Sequence, residues 1–297
     1  MPRGFWQQVL ASDMAVPEDR PLNELTAELV TMLGSTNPVE RDETAYPVLA
    51  TWLSEGVYDD LLVSFGDSIA QGLVVGLGKS LDDSVFRRSF SALILTECVR
   101  RDNVARILPV DVVLNWAERA IGWYTREQDL RGWVPGKGWA HTVAHGADLL
   151  GVLASSRHLQ SLHLGVLLEV IAERLVAPTP TVLVDGEDDR LAMAALTVVH
   201  RNLVDTETLD EWVATVSQAM VRPRGHLTEH TWPTPAAKNT SAFLRALHVH
   251  LAIGIAPAHD PAPFAEPPEA RSDLLLALLR AIPTFTPWMY SGRRKDG

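Results

Sequence analysis

The stretch EQDLRGWVPGKGWAHTVAHGADLLGVLA, residues 127–154, decides how the chain is read, because in it a polar, glycine-containing segment passes into a run with helical period. A helix opening near Gly138 sets Lys137, His141, His145 and Asp148 on one face. Successive helical residues turn by about 100°, so these four fall within roughly 80° of each other. Trp139, Val143, Ala147, Leu150 and Leu153 point the opposite way. Such a helix packs by its apolar side and offers an ammonium, two imidazoles and a carboxylate to whatever lies beside it.

The same period recurs along the rest of the chain. It predicts helices at 3–12, 21–34, 38–55, 58–77, 83–102, 109–127, 138–155, 160–176, 187–202, 206–220, 240–253 and 270–282. Only Thr181–Val184 alternates like a strand. Asn37 before Pro38, with Glu40 three residues on, reads as a capping box, and Asp83, Ser84 and Asp185 precede other helices. Pro47 is expected to kink the third helix. The fold class is therefore all-α. Helices of this length joined by short turns predict antiparallel pairs stacked side by side, an α-solenoid or αα-superhelix of HEAT or armadillo type, with a closed αα-toroid as the alternative. Residues 1–297 are expected to form a single domain: N-terminal helices in 1–37, a main body over 38–255, a proline-rich connector at 256–270, a last helix at 271–283 and a charged tail at 291–297.

Composition narrows the function classes. With 46% hydrophobic residues the chain can build a large core, and no apolar run reaches eighteen residues. The first residues, MPRGFWQQ, lack the apolar stretch of a secretory signal, so a soluble cytoplasmic protein without membrane contact is expected. The single cysteine, Cys98, lies in an apolar helical pattern; it reads as a buried thiol and excludes an internal disulfide or a Cys-rich zinc site. A net charge of −11 argues against nucleic acid, which leaves a small-molecule ligand or a protein as the expected partner.

His141 and His145 have the i, i+4 spacing that lets two imidazoles meet one metal ion, and Asp148 would add a carboxylate. The glutamate of the zinc-protease motif is missing between them, and the competing reading makes both histidines hydrogen-bonding structural groups. Lys137, between two glycines at the expected helix start, reads as an anion seat or as a solvated lysine in a turn. Asp129 and Arg131 lie two residues apart before that turn, a spacing at which acid and base commonly pair with each other. Trp133 and Trp139 flank the turn and are candidates to wall a ligand site. Arg190 follows Asp188 and Asp189 at a helix start, where dipole capping alone explains the acids. A buried Arg88–Asp42 pair between neighbouring helices is a further expectation. Asn239 reads as an N-cap candidate beside Thr240 and Ser241, or as a group reaching into the pocket.

With these residues in view, the chain resembles a bacterial family of uncharacterised proteins, DUF2785. The resemblance is carried by RDETAYPVLATW at 41–52, SVFRRSFSAL at 84–93, DLRGWVPGKGWAHTVAHGADLL at 129–150, DDRLA at 188–192 and NTSAFLRAL at 239–247. It implies an all-helical, repeat-like fold with Asp42, Arg88, Asp129, Arg131, Lys137, His141, His145, Asp148, Arg190 and Asn239 as its characteristic polar positions. It implies no reaction and no cofactor.

The leading expectation is a polar pocket on the helix at 138–155 that binds a small anionic or zwitterionic ligand, with Trp139 among its walls. In a catalytic version His141 or His145 is the general base, Asp148 orients it, and Lys137 and Arg131 stabilise charge. The alternatives are a helical scaffold for a protein or peptide with a purely structural polar network, and a metal-dependent hydrolase.

Overall fold

The computed structural model describes residues 4–221, 232–258 and 261–290. The tail expected at 291–297 lies outside them, as do His259 and Asp260 of the connector. The chain divides into two compact units, 1–158 and 159–297.

In the first unit the helices are α1 (Phe5–Ala11), α2 (Leu22–Met32), α3 (Pro38–Glu40), α4 (Tyr46–Ser54), α5 (Leu62–Gln71), α6 (Ser84–Ala105), α7 (Val110–Tyr124) and α8 (Thr142–Ala154). The second holds α9 (Ser161–Val176), α10 (Glu187–His200), α11 (Thr206–Ser217), α12 (Pro235–Ile253) and α13 (Arg271–Ala281). Every helix read from the sequence has a counterpart, and the all-helical class is correct. No described helix is long and apolar enough to cross a membrane.

Between α3 and α4 the backbone widens into a π-helical turn at Arg41–Ala45, where the Tyr46 N–H reaches back to the Arg41 carbonyl. The irregularity expected from Pro47 takes this form. Proline has no N–H and its ring crowds the carbonyl four residues earlier, and a wider turn just before it relieves both.

Within the first unit α6 packs between α4 and α8, while α5 and α7 pack on each other and lie against α6 and α8 respectively. Contacts advance together along α4, α6 and α8: Arg41 meets Phe86 and Phe90, Tyr46 meets Glu97, His145 meets Ser89, and Asn103 meets Val152. These three helices therefore run in the same direction. The core between the layers includes fully buried Trp52, Trp116 and Trp123. Burial of each such side chain contributes roughly 1.5–3 kcal/mol or more. Two glycines permit the close approach: a Cβ at Gly66 would strike the Trp116 ring at 2.1 Å, and one at Gly146 the Tyr124 ring at 2.2 Å. Cys98 is buried, as read, and burial pushes its thiol pKa well up.

In the second unit α10 packs on α12, and α11 on both α9 and α13, with Trp212 and Phe243 edge to face in the core. Thr181–Val184 is not a strand. Its backbone is held by one side chain: the Asn239 amide accepts from Leu183 N at 2.9 Å and donates to Thr181 O at 3.0 Å.

Candidate functional site

The segment before α8 corrects the first reading. Residues 133–139 form a short antiparallel hairpin, Trp133 opposite Trp139 and Val134 opposite Gly138, and α8 begins only at Thr142. Pro135 and Gly136 make the turn, closed by Lys137 N to Val134 O at 3.0 Å, with Gly136 at φ +73°. Proline followed by glycine of positive φ is the pattern of a type II turn. Lys137 therefore sits at a hairpin tip rather than on the helix, and its ammonium contacts both oxygens of Asp83 at 2.7 Å. The expected anion seat at a helix start does not form.

The hairpin is fastened on several sides. Arg41, fully buried in the π-helical turn, donates to Lys137 O at 2.6 Å and to Asp42, and its guanidinium lies 4.1 Å from the Phe86 ring centroid. Burial pulls the Arg41 pKa down and pushes that of Asp42 up, opposed in each case by the other partner. The Asp42 carboxylate also accepts the Trp139 N–H. Arg131 grips Asp129 at 2.6 and 2.7 Å, which raises the arginine's pKa, and reaches Asp82 O at 3.0 Å. Arg88 does not pair with Asp42; it is bound to Glu127, which also accepts from Trp123 Nε1 at 2.9 Å and from the N–H groups of Gln128 and Asp129. The cations proposed as charge stabilisers, Lys137 and Arg131, are thus held by carboxylates, and so is Arg88.

What the fastened hairpin delivers is a row of rings. Trp133, 53% exposed, stands edge-on to Trp139 at 4.9 Å between centroids. Trp139 stacks on His141 at 4.5 Å and 18°, His141 meets His145 at 5.6 Å, and His145 meets Phe90 edge to face at 5.2 Å. His141 is the residue that turns the chain from hairpin into helix, at φ +51° and ψ +34°. A side chain with a Cβ pays roughly 1–2 kcal/mol for that left-handed conformation, and such strain gathers at functional sites.

Next to the histidines α4, α6 and α8 contribute a second group. The Tyr46 hydroxyl donates to Glu97 at 3.2 Å, and Glu97 is held by Arg100 at 2.5 and 2.6 Å. Burial and then the charge of Glu97 raise the Tyr46 pKa, and Asp148 adds to the effect. Asp148 and its α8 neighbour His145 therefore belong with Tyr46 and Glu97, residues the sequence reading did not single out. Glu97 carried a signal, as a lone carboxylate inside an apolar run. Among the described residues no group of three or more His, Cys, Asp or Glu side chains is arranged to hold a metal ion.

Residues 73–249 match the model of a family described as a protein of unknown function, DUF2785. The chain belongs to this family. The DUF2785 match takes in Arg88, the hairpin and α8, and also Arg190 and Asn239 of the second unit, but it starts after the motif at 41–52. No curated protein and no solved structure matches the chain. Of the DUF2785 residues in the second unit, Asn239 is inside α12 rather than at its cap, a place taken by Thr234, and it anchors the 181–183 backbone. Arg190 lies in the first turn of α10, beside Asp189, which contacts His250 at 2.9 Å.

Proposed function

We propose that this protein binds a small zwitterionic molecule at the row Trp139–His141–His145, with Asp148, Glu97 and Tyr46 alongside. The observation that carries the proposal is His141: a non-glycine residue in a left-handed conformation, its ring stacked on one aromatic side chain and adjacent to a second imidazole. Structural needs alone would be met by glycine at that position. The ligand class follows from the groups nearby. Carboxylates at Asp148 and Glu97 suit an ammonium, the imidazoles and Arg100 suit a carboxylate, and the Trp139 ring offers an apolar wall. Proton transfer at the imidazoles is the chemistry available if the ligand is also a substrate.

Asp42, Arg88, Asp129, Arg131 and Lys137 are assigned a structural role, as fasteners that hold the hairpin and thereby the rings. The alternation of contacts within each unit, with α4, α6 and α8 in one row and α9, α11 and α13 in another, favours helix-pair stacking of the solenoid kind.

A thermal-shift series with free amino acids, simple amines and simple carboxylic acids tests the reading on the parent protein and on His141→Ala. Stabilisation by amino acids that disappears in the variant is expected. Equal stabilisation of both proteins would remove the histidines from the site.

A further inference from the structure

Ser89 is fully buried in the middle of α6, and its hydroxyl lies 2.8 Å from Nδ1 of His145. A serine hydroxyl in a helix commonly gives its proton to the carbonyl four residues back, as Thr96 of the same helix does to Ala92 at 3.0 Å. Ser89 makes no such bond among the described residues; His145 Nδ1 is the acceptor it has. A buried O–H without an acceptor is strongly disfavoured, so the proton of Ser89 must point at Nδ1. Nδ1 then carries a lone pair, and the ring's own proton resides on Nε2.

We infer that Ser89 is a positioning residue that locks neutral His145 as its Nε2–H tautomer. This rests on the proposed site and adds a division of labour within it. His145 acts there as a hydrogen-bond donor through Nε2, and the base, where one is needed, is His141. The edge-to-face contact with Phe90 fixes the plane of the His145 ring, so the tautomer and the orientation are set from the same helix.

The tautomer can be read in the free protein by two-dimensional long-range proton–nitrogen correlation of ¹⁵N-histidine-labelled chain, above the titration range of its imidazoles. The expected spectrum gives His145 the nitrogen shifts of an Nε2–H ring, and Ser89→Ala converts it to an averaged or Nδ1–H pattern while the other histidine signals stay in place. An Nδ1–H pattern for His145 in the parent protein overturns the inference, whether or not the variant folds. An unchanged Nε2–H pattern in a folded Ser89→Ala protein overturns it too, since something else would then set the tautomer. Neither outcome depends on a ligand, so failure here is distinct from failure of the proposed site.

Discussion

Arg88 and Glu127 meet through two hydrogen bonds, of 2.5 and 2.9 Å, with neither side chain reached by solvent. They join the start of α6 to the segment that leads into the hairpin, and Arg88 also reaches Val75 O and Ser84. Removing one member of a buried pair strands the other as an uncompensated charge, at a cost of about 3–5 kcal/mol. Arg88→Met is therefore expected to lower unfolding stability by that amount in urea. Arg88→Met with Glu127→Gln should recover part of the loss, because the charge left behind is gone.

Gly138 has φ +78°, and a Cβ there would lie 2.9 Å from both the Arg41 guanidinium and the Asp42 carboxylate. Gly138→Ala should cost roughly 1–2 kcal/mol from the backbone alone. The near-ultraviolet circular dichroism of the Trp133–Trp139 pair should weaken with it, as the hairpin lifts from Arg41. An unaltered spectrum would mean that the hairpin does not depend on this contact.

Tyr46 and Tyr58 hold their protons beyond the usual tyrosine range. Burial is the main cause in both; for Tyr46 the charge of Glu97 is the next, and Tyr58 is pushed up to about 12. Since the unfolded chain releases these protons first, at a pH of roughly 10, stability is full below that point and falls as pH rises above it. Spectrophotometric titration of the four tyrosines should show a late phase that coincides with alkaline unfolding and is smaller in Tyr46→Phe.

His200, half-buried against Phe264 in the second unit, has its pKa lowered by burial from the ordinary 6.5. The unfolded chain then binds a proton more readily than the folded one. Stability from this residue is complete above pH 6.5 and declines as pH falls below it. His200→Gln is expected to flatten the acid limb of a stability–pH curve, and an unchanged limb would assign it to other groups.

The helices were legible because apolar residues repeat at 3.6-residue spacing against buried neighbours, and that spacing survives in the sequence whatever the partner is. Residues 133–141 were not. Each strand of the hairpin is two residues long, too short for alternation to register, and the period of α8 extends backward through Trp139 by coincidence. Pro135-Gly136 was the available turn signal, since glycine after proline supplies the positive φ. The pairing of Asp129 with Arg131 followed from spacing. That of Arg88 with Glu127 spans thirty-nine residues and depends on how α6 meets the loop, which no local pattern encodes. Asn239 was misplaced at a cap because Pro235, the first residue of its helix, lies five residues upstream of the start expected at 240.

Equilibrium unfolding of His141→Gly bears most directly on the claim that His141 is kept for binding rather than for stability. Glycine accepts the left-handed backbone without strain, a gain of roughly 1–2 kcal/mol, and the lost stack on Trp139 offsets about 0.5–1.5 kcal/mol of it. The expected result is a variant as stable as the parent, or more so, that no longer responds to amino acids in the thermal-shift series. A loss of about 2–4 kcal/mol would instead make His141 a member of the structural network and contradict the proposed site.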